Sequence, residues 1–231
     1  MSADPYSFYR CVTSELEIDF AVHDANTDRF SEKIRNGWKL TAHARLAMNL
    51  MRGRSHFIDI GANIGTFSIP VSMSTGARCL DVEALPSNIP LLEANLERNG
   101  VDNHEIAHVA AMERAGSVFI KGTTAFGTVN ADGEGVEVPG VRLDDIVMGT
   151  EFEHAALVKI DIEGSELRAL MGLEQFFANS GPDHVIFEGN GAHCAAQGYM
   201  PRDLIRFFHD RGYTVYLVGG SRLSKRTPDD F

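Results

Sequence analysis

The stretch His56-Phe57-Ile58-Asp59-Ile60-Gly61-Ala62-Asn63-Ile64-Gly65 decides the fold class of this chain. Its first half is a short apolar run, and a glycine follows at once. Such a run reads as a buried strand, and a helix is expected from about Ile64. The unit then recurs. Arg78–Glu83 is a second strand, followed by a helix from Ser87 to Asn99, with serine as start signal and Asn99-Gly100 as stop. His104–Val109, Leu157–Asp161, His184–Phe187 and Thr214–Val218 continue as strands. Helices are expected over Ser165–Asn179 and Pro201–Arg211, the latter with proline at a favoured first position. Short apolar strands alternating with amphipathic helices imply an α/β fold, an open, mostly parallel, doubly wound sheet with helices on both faces. Sheets of this kind bind ligands beyond the carboxyl ends of their strands.

Two segments stand outside that alternation. Residues 1–55 read as an N-terminal cap or lead-in, with a strand over Glu15–Val22 and a helix over Ala42–Met51. Ala115–Gly140 is rich in glycine and reads as β-hairpin and loop. Residues 56–231 then make a single α/β domain, within reach of 231 residues of which 44% are hydrophobic.

The net charge of −11 argues against nucleic acid or an anionic membrane surface as the main partner, since both are bound through basic faces. Arg222, Lys225 and Arg226 are the densest cationic stretch and read as a solvated tail. Cys11, Cys79 and Cys194 fit neither a metal clip nor a disulfide framework. The first ten residues lack the basic and apolar regions of a signal peptide, and no run has the roughly 18 apolar residues of a membrane span. A cytoplasmic address is expected.

Gly61 lets the backbone turn directly after its strand without a Cβ in the path of a ligand. Gly61 and Gly65 form G-x-x-x-G, which is neither the G-x-G-x-x-G dinucleotide fingerprint nor a phosphate loop. That spacing counts against an NAD-dependent oxidoreductase. Glu83 ends the second strand 22 residues after Gly61, where a carboxylate can accept hydrogen bonds from two ribose hydroxyls. An adenosine-bearing ligand across the first two strands is therefore expected.

Three runs resemble the FkbM-type methyltransferases: FIDIGANIGTFSIP (Phe57–Pro70), DVEALPSNIPLLEANLERNG (Asp81–Gly100) and VKIDIEGSELRALMGLE (Val158–Glu174). The resemblance covers roughly Ile58 to Val218, and the third run is its most specific part. It implies a Rossmann-like class I methyltransferase fold, S-adenosylmethionine as cofactor, and O-methylation of a hydroxyl on a small molecule, natural product or sugar. It also implies that Asp59, Gly61, Asn63 and Gly65 surround the methionine part of the cofactor, that Glu83 holds the ribose, and that Ala111 lies at the adenine, with Glu113 the nearest acid. This chain reads Glu83-Ala84-Leu85-Pro86, where the family more usually places the proline directly after the acid.

Asp161 and Glu163 leave the fourth strand beside the transferred methyl, on one side if the strand persists that far. Either can accept the hydroxyl proton as the oxygen attacks. Glu166 falls in the first turn of the next helix and is expected to cap it. His193 is an alternative general base. Asp161, Glu188 and Asn190 are oxygen ligands that adjacent strand ends could gather around Mg²⁺ or Ca²⁺, but no metal is assigned. Trp38 and Phe126 are candidates for the acceptor pocket. A catalytically inactive, cofactor-binding partner subunit is the non-enzyme alternative. An RNA 2′-O-methyltransferase would want a lysine after the fifth strand, where this chain has Glu188.

Overall fold

The computed structural model describes residues 6–23, 28–122, 127–130, 133–179, 181–219 and 222–230. The N-terminal hairpin, β1 (Phe8–Val12) and β2 (Glu17–Ala21), leads to helices α1 (Arg29–Arg35) and α2 (Ala42–Leu50). Strands and helices then alternate through β3 (His56–Ile60), α3 (Ser68–Thr75), β4 (Arg78–Val82), α4 (Ile89–Arg98) and β5 (His104–Ala107). A side sheet follows, made of β6 (Ala110–Ala111), β7 (Gly116–Lys121), β8 (Thr128–Asn130) and β9 (Val136–Val141). The remainder comprises α5 (Asp144–Val147), β10 (Leu157–Ile160), α6 (Glu166–Met171), α7 (Glu174–Asn179), β11 (His184–Phe187), α8 (Gly191–Ala196), α9 (Pro201–His209) and a last hairpin of β12 (Val215–Gly219) with β13 (Arg222–Arg226).

The main sheet runs β11-β10-β3-β4-β5, and its neighbouring strands pair in parallel. The chain builds outward from β3 through β5, then jumps back across β3 to lay down β10 and β11. That reversal opens a crevice at the carboxyl ends of β3 and β10. Strand alternation divides the core in two. Phe57, Cys79 and Leu157, in register, face the cluster that includes Trp38, Met48 and Leu92. Ile58, Leu80 and Val158 face the opposite cluster with Leu143, Leu170 and Phe208. Burial on both faces explains why these strands read as continuous apolar runs.

The N-terminal hairpin is stitched to α4 by two asparagines. Asn95 accepts from the Ala21 N–H at 2.6 Å and donates to the Ala21 carbonyl at 3.0 Å, and Asn99 does the same to Asp19 at 2.9 and 2.7 Å.

Four expectations need correction. The helix after β3 starts at Ser68, because residues 61–67 are held in a turn. The helix after β4 starts at Ile89 rather than Ser87; its N-cap Asn88 instead donates to Glu83 Oε1 at 3.2 Å. The segment Ser165–Asn179 is two helices, broken where Gly172 backs onto the Met112 carbonyl so closely that a Cβ would collide with it. The second piece is capped from afar, as the Asp144 carboxylate accepts the N–H groups of Gln175 and Phe176, each at 3.0 Å. Finally, the strand expected at Thr214–Val218 is present as β12 but pairs antiparallel with β13 in its own hairpin, so the main sheet has five strands among the described residues.

Candidate active site

The turn after β3 is built by special backbone conformations. Gly61 and Gly65 have φ of 84° and 89°, and Asn63 is left-handed at 55°. A side chain at Gly61 would collide with the carbonyl oxygen of Asp161, which leaves β10 next door. Gly65 serves packing, since a Cβ there would come within 2.6 Å of Ile69 Cδ1. The Gly61 and Ala62 N–H groups donate to the Val82 carbonyl at 2.8 and 3.0 Å. Glu83 ties the turn down: its Oε2 accepts the Asn63 N–H at 2.8 Å, and its Oε1 accepts the Leu85 N–H at 2.8 Å. Burial pushes the Glu83 carboxyl up, and the N–H groups of Leu85 and Asn63 work against that shift.

Beneath the turn lies a buried charge cluster. Lys159, in register with Asp59 on the neighbouring strand, places Nζ 3.0 Å from Asp59 Oδ1 and donates to the Gly61 carbonyl at 2.7 Å. Burial works against the charge on this lysine, but Asp59 and Asp161 outweigh it and its pKa is raised. Asp81 is fully buried and is pushed up to about 7, first by desolvation and then by Asp59. Sequence reading placed Lys159 within its strand but gave it no role, although a lysine inside an apolar strand was itself a signal of a buried anion nearby.

A cavity of about 530 Å³ opens above these groups at the strand ends. Gly61, Ala62, Asn63 and Glu83 line one side, with Ala110 and Ala111 beyond them. Phe30, Trp38, Thr41 and His43 contribute from the N-terminal segment, and Phe67, Leu85 and Ile120 add apolar surface. Trp38 lines this cavity, while Phe126 falls outside the described residues. Asp59 and Gly65, expected around the methionine part, are not on the wall. Asp59 is fully buried beneath it against Lys159. Glu113, expected at the adenine, is held by Arg168 at 2.8 and 3.0 Å.

Asp161, Glu163 and Glu188 also line the cavity, from the ends of β10 and β11. Regular alternation does not place the first two together: β10 ends at Ile160, and Glu163 has a left-handed φ of 55°. The Asp161 side chain is 48% exposed, while that of Glu163 is 19% exposed. Desolvation, followed by repulsion from Asp161 and Glu163, pushes Glu188 up to about 7. His193 stands behind Glu163, with Nδ1 2.8 Å from Glu163 Oε2. Glu166 caps the preceding loop rather than its own helix: it accepts the N–H groups of Ile162 and Gly164, each at 3.1 Å, and the Tyr199 hydroxyl at 2.8 Å. The oxygen set Asp161, Glu188 and Asn190 is not assembled, because Asn190 Oδ1 accepts the N–H groups of Ala192 and His193 as the cap of α8. Glu163, Glu188 and His193 converge instead. Among the described residues, no helix is long and apolar enough to cross a membrane.

A family model described as a methyltransferase FkbM domain matches residues 59–215. No curated protein sequence matches. Solved structures share the fold. The chain is similar to an O-methyltransferase from Bacillus cereus, solved with S-adenosylhomocysteine, at 15% identity and a TM-score of 0.50, over 80% of this chain and 81% of that one. It is also similar to a 16S rRNA methyltransferase of T. Thermophilus, solved with S-adenosylmethionine and guanosine, at 12% identity and a TM-score of 0.50, over 96% of this chain and 51% of that one.

Proposed function

The chain belongs to the FkbM methyltransferase family, and from that premise we propose that this S-adenosylmethionine-dependent enzyme methylates a hydroxyl oxygen of a small molecule or sugar, with Asp161 receiving the proton. The residues present fit the cofactor. A cavity of about 530 Å³ is within the usual range for such a ligand. Glu83 Oε1 already accepts from the Leu85 N–H and the Asn88 amide, while Oε2, which accepts the Asn63 N–H, keeps a lone pair that suits a ribose hydroxyl. Gly61, Ala62 and Asn63 present backbone to the methionine part, and the small side chains of Ala110 and Ala111 leave room for a flat base. When bound, S-adenosylmethionine would supply a sulfonium methyl that an oxygen can take as the carbon–sulfur bond breaks, with S-adenosylhomocysteine leaving as a neutral thioether.

The observation that carries the oxygen assignment is the acidic wall. Asp161 stands half exposed at the end of β10, facing the cavity. A carboxylate there accepts the hydroxyl proton, a contribution of about 10²–10⁴-fold in a well-aligned site. Residues 1–55 act as the cap: Phe30 and Trp38, together with Phe67 and Leu85, exclude water and hold the acceptor in line. Three carboxylates on this wall repel a phosphodiester, which favours a small neutral acceptor over RNA or DNA.

Incubation with methyl-labelled S-adenosylmethionine and a panel of sugars, phenols and short RNAs tests the reading. An ether-linked methyl on a small hydroxyl compound is the expected product, and Asp161→Asn should keep affinity for S-adenosylhomocysteine while losing turnover. Label on a base nitrogen or carbon, or full turnover in that variant, would overturn it.

A further inference from the structure

The acidic wall has a feature that a proton acceptor alone does not need. Glu163 comes from the loop after β10, Glu188 directly follows β11, and His193 lies in α8, yet one ligand atom from each falls within 4.8 Å of the other two. Ligands at about 2.1 Å from one divalent cation lie about 3 Å apart at a right angle and about 4 Å apart when opposite. The three atoms are therefore already close to the spacing of a shared coordination sphere. His193 Nδ1 adds an independent sign. The His193 side chain is 38% exposed, but its Nδ1 is shielded from solvent 2.8 Å from Glu163 Oε2 without a formed hydrogen bond. That separation is compatible with two ligands of one ion.

The surroundings hold this set in place and leave it short of positive charge. The His193 backbone packs so closely on Gly164 that a Cβ there would come within 2.7 Å of the His193 carbonyl oxygen. The Tyr199 hydroxyl, 2.9 Å from the Gly164 carbonyl, steadies the same loop through Glu166. The nearby cation Lys159 is engaged with Asp59 and the Gly61 carbonyl.

We propose that Glu163, Glu188 and His193 bind a divalent cation of the Mn²⁺ class on the acceptor side of the cavity. Two carboxylate oxygens with one imidazole nitrogen suit an ion between the hard, all-oxygen type and the softer nitrogen-binding type. Three protein ligands leave positions open on such an ion. Resting on the methyl-transfer reading above, the ion ligates the acceptor hydroxyl through its oxygen and makes it more acidic, and the released proton passes to Asp161. The cation also offsets the negative charge of the wall.

The test is a Mn²⁺ titration of the whole protein followed by electron paramagnetic resonance, with no cofactor added, beside a calorimetric titration with S-adenosylhomocysteine. The wild type should deplete free Mn²⁺ with one saturable site. His193→Ala and Glu188→Gln should each weaken that site at least tenfold while leaving S-adenosylhomocysteine affinity unchanged. Absence of saturable Mn²⁺ binding, or binding unchanged in both variants, would overturn the cation site. Failure of the wild type to bind S-adenosylhomocysteine would instead strike the methyl-transfer reading, leaving the Mn²⁺ titration to decide the site by itself.

Discussion

The carboxylates at the ends of β3 and β4 and those after β10 and β11 border the same crevice, yet they live in opposite environments. Asp59, Asp81 and Glu83 are buried. Asp59 has the Lys159 ammonium beside it, and Glu83 has backbone N–H groups. Asp161 and Glu188 are exposed to the cavity, and Glu163 and Glu188 are driven up partly by their neighbours' charge. The first group shapes a rigid turn, because Lys159 matches Asp59, backbone N–H groups match Glu83, and burial pushes Asp81 up to about 7. The second group is more open and more loosely matched, with Asp161 4.0 Å from the Lys159 ammonium and Glu163 beside His193, the condition in which a carboxylate can take a proton or a cation. One residue type therefore performs two tasks, divided by which side of β3 it lies on.

The largest effect expected from breaking that division is at Asp161. Asp161→Asn should lower kcat by about 10²–10⁴-fold with the unfolding midpoint unchanged; turnover within a factor of two of wild type would move Asp161 into the structural group. Next comes Lys159→Met, which leaves Asp59 buried without its cation and should cost about 3–5 kcal/mol in urea unfolding. An unchanged midpoint would mean that Asp59 is neutral in the fold. A smaller loss is expected from Glu83→Ala, which releases the Asn63 N–H and removes the ribose acceptor. S-adenosylhomocysteine affinity should fall by roughly 10- to 100-fold, the scale of one or two hydrogen bonds to a charged group.

The smallest effect is one of pH. Asp81 has its pKa raised to about 7, so the folded state holds this proton more tightly than the unfolded chain does. Its favourable contribution is complete below the ordinary aspartate range and is lost as pH rises through about 7. Asp81→Asn should therefore gain in melting temperature relative to wild type between pH 5 and pH 8; a constant difference across that range would count against a protonated Asp81.

Much of the architecture was legible because it follows from local pattern. The runs Phe57–Ile60, Cys79–Val82 and Leu157–Ile160 are apolar on both faces of a parallel sheet, and their lengths and bounding turns mark them as strands. Gly61 was legible for the same reason, since a strand that must turn at once has few alternatives. The break at Gly172 was not, because its cause is Met112, sixty residues earlier in the chain. The Asn88 side chain was also unreadable as a cap, since its amide is drawn away to Glu83.

The sequence by itself determined the order of the main-sheet strands and their helices, the turn that faces the cavity and the acidic residues at the strand ends, since these depend on residues near one another in the chain. Tertiary structure decided which acids are matched by Lys159, which are left to the cavity, and that His193 meets Glu163 and Glu188 while Asn190 is spent on its own helix. It also decided that β12 pairs with β13 outside the main sheet. Those outcomes depend on register across β3 and β10 and on how α8 packs against the loop at Gly164, and contacts between distant segments leave no periodic trace in either segment alone.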